Sequence, residues 1–127
     1  MKFTEHRDPT VNMIQHYQPN QVRVNQQTLN NSVIITQQHL LNDWPITHID
    51  QLNQSHLDTL LALRPEVLII GTGEQQHFPA PKWFGYCIER GVSLEVMSNA
   101  AACRTYNVLT TEERIVVLGL ILGQHIA

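Results

Sequence analysis

The stretch from residue 67 to residue 109 constrains the fold more than any other part of the chain. It begins with Val-Leu-Ile-Ile at residues 67–70, an unalternating apolar run typical of a strand that is buried on both faces. A Gly-Thr-Gly turn, a helix and a second strand at residues 92–97 follow, and Ser98 then opens another helix. Because the connection between the two strands is long enough for a crossover helix, this order predicts a right-handed βαβ unit with parallel strands.

The boundaries of these elements follow from capping residues. Pro81 suits the first turn of the first helix, which we expect to run to about Arg90 and to stop at Gly91. Ser98 is the predicted N-cap of the second helix, and Asn107 is its predicted exit residue.

The apolar run at residues 115–122 fits either a helix or a strand by periodicity alone. Its β-branched residues, its internal Gly119 and its modest length favour a strand. Because the run is apolar on every side, we expect this strand to be central in the sheet.

The first part of the chain predicts a small β portion. Residues 1 to about 20 are polar, contain prolines and are expected to be irregular. Apolar and polar residues alternate over residues 21–27, and an apolar strand is expected at residues 33–36. With a turn at Asn30-Asn31, these two strands are interpreted as an antiparallel hairpin.

Two features of the next segment concern packing. Trp44 precedes a proline and is expected to cover an edge of the core rather than to stack on a ligand. Ser55 is expected to cap a short helix, with Asp58 completing a capping-box-like pair and Pro65 ending it.

Composition excludes several classes of function. The net charge is −3 and no basic run exists, so nucleic acid is not an expected partner. The seven histidines show no metal-binding spacing, so no metal site is predicted.

Residues 115–122 form the longest apolar run, which is too short for insertion into a membrane. The first residues do not resemble a signal peptide, and only two cysteines are present, so we expect a cytoplasmic protein and a single domain over residues 1–127.

A longer motif identifies a family resemblance. Three parts of the sequence resemble the Mth938-like family, also called DUF498. They are the Gly-Thr-Gly turn, residues 91–97 and, above all, the string Ala-Ala-Cys-Arg-Thr-Tyr-Asn-Val-Leu at residues 101–109. The resemblance covers about residues 20–122, the expected ordered core, and is greatest for bacterial members. It implies a three-layer α/β fold, with a central mixed sheet flanked by helices and a small N-terminal β portion.

The resemblance also implies a class of function. The family includes a mitochondrial assembly factor for respiratory complex I, and no enzyme activity or cofactor is established for it. It therefore implies a non-enzymatic interaction or assembly protein with a protein partner. Carrying the complex I role to a bacterial-type member would extend it across a large functional distance.

An alternative hypothesis is a small-molecule binder or an enzyme that uses a crevice at the carboxyl ends of the parallel strands, where α/β folds place ligands. The glycine turn would offer bare backbone amides, and the helix start after Ser98 would attract an anion. The same turn and cap are also explained by structure alone, because the turn lacks the third glycine of a dinucleotide motif and the lysine of a P-loop. The candidate ligand-binding residues are Gly71, Thr72, Gly73, Ser98, Asn99 and Arg104.

Cys103 is the only candidate nucleophile, and no histidine has a sequence relation that would make it the base. Its place near a helix start and beside Arg104 would lower the pKa of its thiol, whereas the alanine-rich face favours a buried, inert thiol. A redox role would require Cys103 to be exposed, and a Cys87–Cys103 bridge is disfavoured in a reducing compartment. Self-association into a homo-oligomer through a sheet edge is the remaining hypothesis about partners.

Overall fold

The computed structural model describes residues 11–123. Its strands are β1 (Ile14–Gln18), β2 (Gln21–Val24), β3 (Gln27–Leu29), β4 (Val33–Thr36), β5 (Leu40–Leu41), β6 (Val67–Gly71), β7 (Ser93–Met97) and β8 (Val116–Leu120). Its helices are α1 (Gln54–Leu61), α2 (Lys82–Ile88) and α3 (Asn99–Thr111), and a short 3₁₀ turn covers Ile49–Gln51.

The strands form two sheets. The larger sheet has the order β5-β4-β8-β6-β7, in which β6 is parallel to both β7 and β8, and β4 is antiparallel to β8 and to β5. The smaller sheet is antiparallel, with the order β1-β2-β3. The predicted mixed central sheet with a small N-terminal β portion is therefore confirmed, as is the central position of β8.

The larger sheet is covered on both faces, which explains the unalternating strands. Leu68 and Ile70 of β6 join one core with α1, α2 and the 3₁₀ turn. Val67 and Ile69 join the opposite core with α3 and the smaller sheet. The two cores give the three layers that the family resemblance implied.

The predicted hairpin is wrong in its pairing. Strand β2 pairs with β1 and β3, whereas β4 pairs with β8 and β5. The tight turns are instead formed around Asn20 and Asn25, which adopt φ angles of 63° and 52°. Each of them carries the left-handed backbone that was expected at Asn30-Asn31.

The expected irregular segment is also wrong at residues 14–18, because Ile14–Gln18 is strand β1. The register of β1 against β2 shifts between Ile14 and His16. This irregularity interrupts the two-residue period by which a strand is recognised in a sequence. The expectation for residues 1–10 lies outside the described residues.

Helix boundaries confirm some caps and correct others. Ser98 caps α3 as predicted, and Gly91 follows α2 with a φ of 77°. Helix α1 is capped by Asn53, in a capping box with His56, and not by Ser55 with Asp58. Helix α3 continues past Asn107 to Thr111.

Asn107, the predicted exit residue of α3, lies within the helix and bonds to strand β1 instead. Its side chain accepts a hydrogen bond from the Ile14 amide at 3.0 Å and donates one to the Ile14 carbonyl at 2.8 Å. It therefore joins α3 to β1 as an additional partner for the strand, and the smaller sheet is fixed beside α3 by this pair of bonds.

Trp44 covers the core at a central strand. Its side chain is buried, and a Cβ atom added at Gly119 of β8 would lie 2.8 Å from the ring. Gly119 is therefore the space that the indole ring needs, and the packing role predicted for Trp44 is confirmed.

Candidate functional site

The carboxyl end of β6 lies directly against the start of α3. A Cβ atom added at Gly71 would lie 2.4 Å from Oδ1 of Asn99 and 2.8 Å from a methyl carbon of Leu120. Glycine at this position thus permits the close approach of helix to strand. The structure therefore brings together the glycine turn and the helix start, as the sequence predicted.

The Asn99 side chain fills the crevice between these elements. Its Oδ1 accepts a hydrogen bond from the Gly73 amide at 3.0 Å, and its Nδ2 donates to the Ile121 carbonyl at 2.9 Å and to the Tyr17 hydroxyl at 3.2 Å. Only 1% of Asn99 is exposed. One buried amide thus joins the turn, β1 and the end of β8.

The expectation of bare backbone amides in the turn is wrong for two of its residues. The Thr72 amide donates to the Met97 carbonyl at 3.0 Å, and the Gly73 amide is used by Asn99. The Asn99 amide donates to the Gly73 carbonyl at 2.8 Å, and the Ser98 hydroxyl accepts from the Ala101 amide at 3.3 Å. The donors that would hold an anion are largely satisfied by the protein itself.

The Thr72 hydroxyl shapes the loop that follows β6. It donates to the Gln75 carbonyl at 2.7 Å and accepts from the His77 amide at 3.0 Å. The Gln76 side chain donates to the Val96 carbonyl at 2.8 Å and so fixes the loop to edge strand β7. This loop leads directly into α2.

Tyr17 and Glu74 belong to the same polar cluster, although the sequence did not indicate them. The Tyr17 hydroxyl donates a hydrogen bond to the Glu74 carboxylate. Burial, followed by this bond to the carboxylate, raises the pKa of Tyr17 well above its ordinary value. The pairing spans 57 positions of sequence, and local patterns cannot reveal contacts at that separation.

Cys103 is a buried thiol. It is 5% exposed, and burial raises its pKa to about 12, although the nearby Arg104 charge acts in the opposite direction. The thiol is therefore protonated at neutral pH and is a poor nucleophile. Cys87 is also buried and free, and it belongs to the core on the other face of the sheet, so the two cysteines form no bridge.

Arg104 is not brought to the turn. The buried side of α3 consists of Asn99, Ala102, Cys103, Tyr106 and Thr110. Arg104 lies on the exposed side, and its side chain makes no hydrogen bond or ion pair with the residues that the structure describes. Its assignment to a ligand site remains a prediction.

Two large apolar side chains are exposed on the segment formed by residues 78–88, which we call the aromatic segment. Phe78 is 65% exposed and Ile88 is 64% exposed. Trp83, Phe84 and Tyr86 are half-buried against the core beneath α2. The segment therefore combines a packed aromatic base with two large side chains that face solvent.

Polar contacts fix the end of the aromatic segment. The Tyr86 hydroxyl donates to Oδ1 of Asp58 at 2.6 Å, and the Arg90 guanidinium stacks 3.5 Å from the Tyr86 ring centre. The Lys82 ammonium lies 4.8 Å from the Trp83 ring centre. The bond between Tyr86 and Asp58 joins α2 to α1, whereas the two cation–ring contacts lie between neighbouring residues in and beside α2.

Residues 11–123 contain no cluster of three or more His, Cys, Asp or Glu side chains arranged to hold a metal ion. Within the same residues, no helix has the length and apolarity required to cross a bilayer.

Solved structures share this architecture. A Xanthomonas campestris protein solved by NMR is 39% identical, with a TM-score of 0.83 over 96% of this chain and 93% of that one. A Bordetella pertussis protein described as an Mth938-like domain is 28% identical, with a TM-score of 0.77 over 96% of this chain and 92% of that one.

Sequence comparisons add a family model and named relatives. The model described as "Protein of unknown function (DUF498/DUF598)" matches residues 14–121. A "13 kDa major membrane protein" of Francisella tularensis subsp. holarctica is 41% identical over 54% of this chain and 56% of the relative. "NADH dehydrogenase [ubiquinone] 1 alpha subcomplex assembly factor 3" of Xenopus tropicalis is 32% identical over 64% of this chain and 45% of the relative. The chain thus spans about half the length of the curated relatives it matches.

Proposed function

Since this chain belongs to the DUF498 family, we propose that it is an interaction or assembly protein that binds another protein through its aromatic segment. The family resemblance seen in the sequence, including the Mth938-like fold, is confirmed by the family model and by the Bordetella structure. The proposed role, by contrast, is inferred from the surface described above and from the names of relatives.

The observation that carries the proposal is the exposure of Phe78 and Ile88. Burying a side chain of this size in an interface contributes about 1.5–3 kcal/mol, so two of them could supply much of a moderate affinity. Aromatic residues are also enriched among the side chains that dominate binding energies.

The aromatic segment is suited to binding because it is already ordered. Tyr86 is held by Asp58 and Arg90, and Trp83 packs edge-on against Tyr86 with ring centres 5.7 Å apart. A surface that does not need to be rearranged on binding loses less conformational entropy.

The names of relatives suggest which partner to test. The Xenopus relative is named as an assembly factor of NADH dehydrogenase, so subunits of that complex are the first candidate partners. We propose that this role is performed in the cytoplasm, which the composition of the chain favours. We also propose that residues 1–127 form one domain. A membrane location is the competing proposal, since the Francisella relative is named as a membrane protein.

The test is quantitative co-purification of the tagged protein with NADH dehydrogenase subunits from its native cells. Phe78→Ser and Ile88→Ser should each reduce recovery of the partner several-fold, and together they should abolish it. Val108→Ser is the matched control, because Val108 is 55% exposed on α3 and lies outside the aromatic segment. Recovery that is unchanged in the double variant, or reduced equally in Val108→Ser, would refute the proposed surface.

Binding of a small anion at the crevice beside residues 71–73 is the weaker proposal, because internal hydrogen bonds occupy most of its donors. Self-association also remains a proposal. Light scattering across a range of protein concentrations would test it, and a mass that stays at one chain throughout would exclude it.

A further inference from the structure

A groove of about 310 Å³ lies at the opposite end of the parallel strands from the glycine turn. It is formed where β4 ends, where α1 leads into β6 and where β8 begins. Its lining residues are Thr36, Gln37, Gln38, His39, Ala62, Leu63, Arg64, Ile115, Val116 and Val117. Three distant parts of the sequence therefore meet in one concave surface.

The groove has an apolar side and a polar rim. Ile115 is 51% exposed and Leu63 is half-buried, so both offer apolar surface that a ligand could cover. Arg64, His39 and Gln38 are exposed and supply the polar rim. None of the lining residues is acidic, although the chain has 11 Asp and Glu residues and a net charge of −3.

Arg64 is the charged residue of the rim, and its guanidinium has no partner among residues 11–123. Among the five arginines of the described residues, the side chains of Arg23, Arg90 and Arg114 make hydrogen bonds, whereas those of Arg64 and Arg104 make no hydrogen bond or ion pair. Arg64 alone of these two lines the groove. Its donors are therefore available to a ligand.

The backbone at Arg64 is held in a conformation that arginine does not favour. Its φ is 57°, where glycine would cost less, and its amide closes the end of α1 by donating to the Leu61 carbonyl at 2.9 Å. Glu113 ends α3 in the same way, with a φ of 64°, so the conformation alone does not indicate function. The backbone conformation of Arg64 does determine the direction in which its side chain leaves the backbone.

The acidic residue closest in sequence to Arg64 does not neutralise it. The Glu66 carboxylate accepts hydrogen bonds from Nε of Arg114 at 3.1 Å and from the Ile115 amide at 2.9 Å. These bonds lower the pKa of Glu66, the backbone bond being the larger cause. Glu66 therefore pairs with Arg114 and not with Arg64.

We propose that this groove binds a small organic carboxylate with a short apolar tail, whose carboxylate is bound by the Arg64 guanidinium and whose tail covers Leu63 and Ile115. The planar guanidinium can hold both oxygens of a carboxylate at once. A mixed site with an apolar wall and one fixed charge is typical of pockets for small molecules. This site is separate from the aromatic segment and does not depend on the proposed protein partner.

A second groove of about 530 Å³ shares Ala62 and Arg64 but is less suited to an anion. It is lined by Asp58 and Arg90, and the carboxyl ends of α1 and α2 lie beside it. The Arg90 guanidinium is already engaged, because it stacks on the Tyr86 ring and donates to the Tyr86 carbonyl at 2.8 Å. Both helix ends and the Asp58 carboxylate repel negative charge. We therefore assign the carboxylate to the first groove.

The test is an NMR titration of the ¹⁵N-labelled protein with hexanoate, with hexan-1-ol as the probe that lacks the charge. Hexanoate should cause saturable shifts at the amides of His39, Leu63, Arg64 and Ile115. Arg64→Gln should weaken binding by about tenfold or more, which is about 1.4 kcal/mol. Hexan-1-ol should bind no better to the wild type than hexanoate binds to Arg64→Gln.

Arg104→Gln is the matched control, because it removes the other unpartnered arginine by the same substitution. It should bind hexanoate like the wild type. Arg64→Lys keeps the charge but loses the planar fork, and it should fall between the wild type and Arg64→Gln. The absence of saturable shifts, shifts located elsewhere, or equal binding by the wild type and Arg64→Gln would overturn the proposal.

Discussion

The two ends of the parallel strands differ in how their polar groups are used. At the carboxyl end, the Asn99 side chain bonds to Gly73, Ile121 and Tyr17, and the turn has little hydrogen-bonding capacity left. At the amino end, Arg64 lines a groove without a polar partner among the described residues. A polar group that the protein itself satisfies contributes to stability, whereas an exposed and unpartnered charge in a groove is free to bind.

The difference also reverses the usual expectation for this fold class. Ligands of α/β proteins commonly bind beyond the carboxyl ends of the strands. Here that position is filled by the protein's own amide side chain. Substitutions at the carboxyl end should therefore cause large losses of stability, whereas substitutions at the amino end should change stability little.

Asn99→Ala should cause the largest loss. It leaves the Gly73 amide and the Ile121 carbonyl without their buried partner, and we expect the free energy of unfolding to fall by about 3–4 kcal/mol. Urea denaturation measures this change. Ser98→Ala is the control at the adjacent position, where losing an N-cap should cost only about 1 kcal/mol. If the two variants were equally stable, the amide network would not be the main support of this end.

Gly71→Ala should come next, with a loss of about 2–3 kcal/mol. The added methyl group would meet Asn99 Oδ1 at 2.4 Å and Leu120 at 2.8 Å. Asn99 is held by its hydrogen bonds to Gly73 and Ile121, and Leu120 is fully buried. Thermal unfolding should show the loss. Gly85→Ala provides the control, because a methyl group there meets nothing within 4 Å and should stabilise α2 slightly. A Gly71→Ala protein of wild-type stability would show that strand and helix can separate without cost.

The sequence predicted which elements meet at the carboxyl end of the parallel strands, but not the side-chain hydrogen bonds that join them. The buried pattern of β6, the Ser98 cap and the βαβ order are local signals, and they were sufficient to place the turn beside the helix start. The sequence predicts Asn99 as a ligand residue because it shows the position of Asn99 at a helix start. Its three hydrogen-bond partners lie up to 82 positions away, so the sequence does not show that the Asn99 side chain bonds within the protein.

The same limit applies to the amino end. The groove is assembled from residues 36–39, 62–64 and 115–117, and no motif connects them. Strand β1, which carries Tyr17, is hidden for an additional reason, since its register shift removes the alternation that would mark a strand in the sequence. The hairpin was misassigned because Asn20, Asn25 and the Asn30-Asn31 pair give equivalent turn signals.

Tyr17→Phe should have a moderate effect at the carboxyl end, about 1 kcal/mol, because Asn99 and Glu74 each lose one hydrogen-bond partner. The raised pKa of Tyr17 adds a pH signature. The folded state keeps the phenol protonated above its ordinary pKa of 10.0, so this residue's contribution to stability is fully present below that pH and is lost as the pH rises further. Above about pH 10 the wild type should therefore lose stability more steeply than Tyr17→Phe. Parallel curves for the two proteins would contradict the assigned environment of Tyr17.

Arg64→Gly should have the smallest effect on stability, and that effect should be favourable. Glycine removes the backbone strain at a φ of 57°, and no hydrogen bond or ion pair of the side chain is lost among the described residues. A gain of about 0.5–1 kcal/mol is the usual scale for relieving this conformation, although glycine's greater freedom in the unfolded chain subtracts from it. Glu113→Gly relieves the same strain at the end of α3, where φ is 64°, and should gain a similar amount. Only Arg64→Gly should also lose hexanoate binding. A variant that unfolds more easily than the wild type would show that Arg64 supports the fold through contacts of its own, and the amino end would then resemble the carboxyl end.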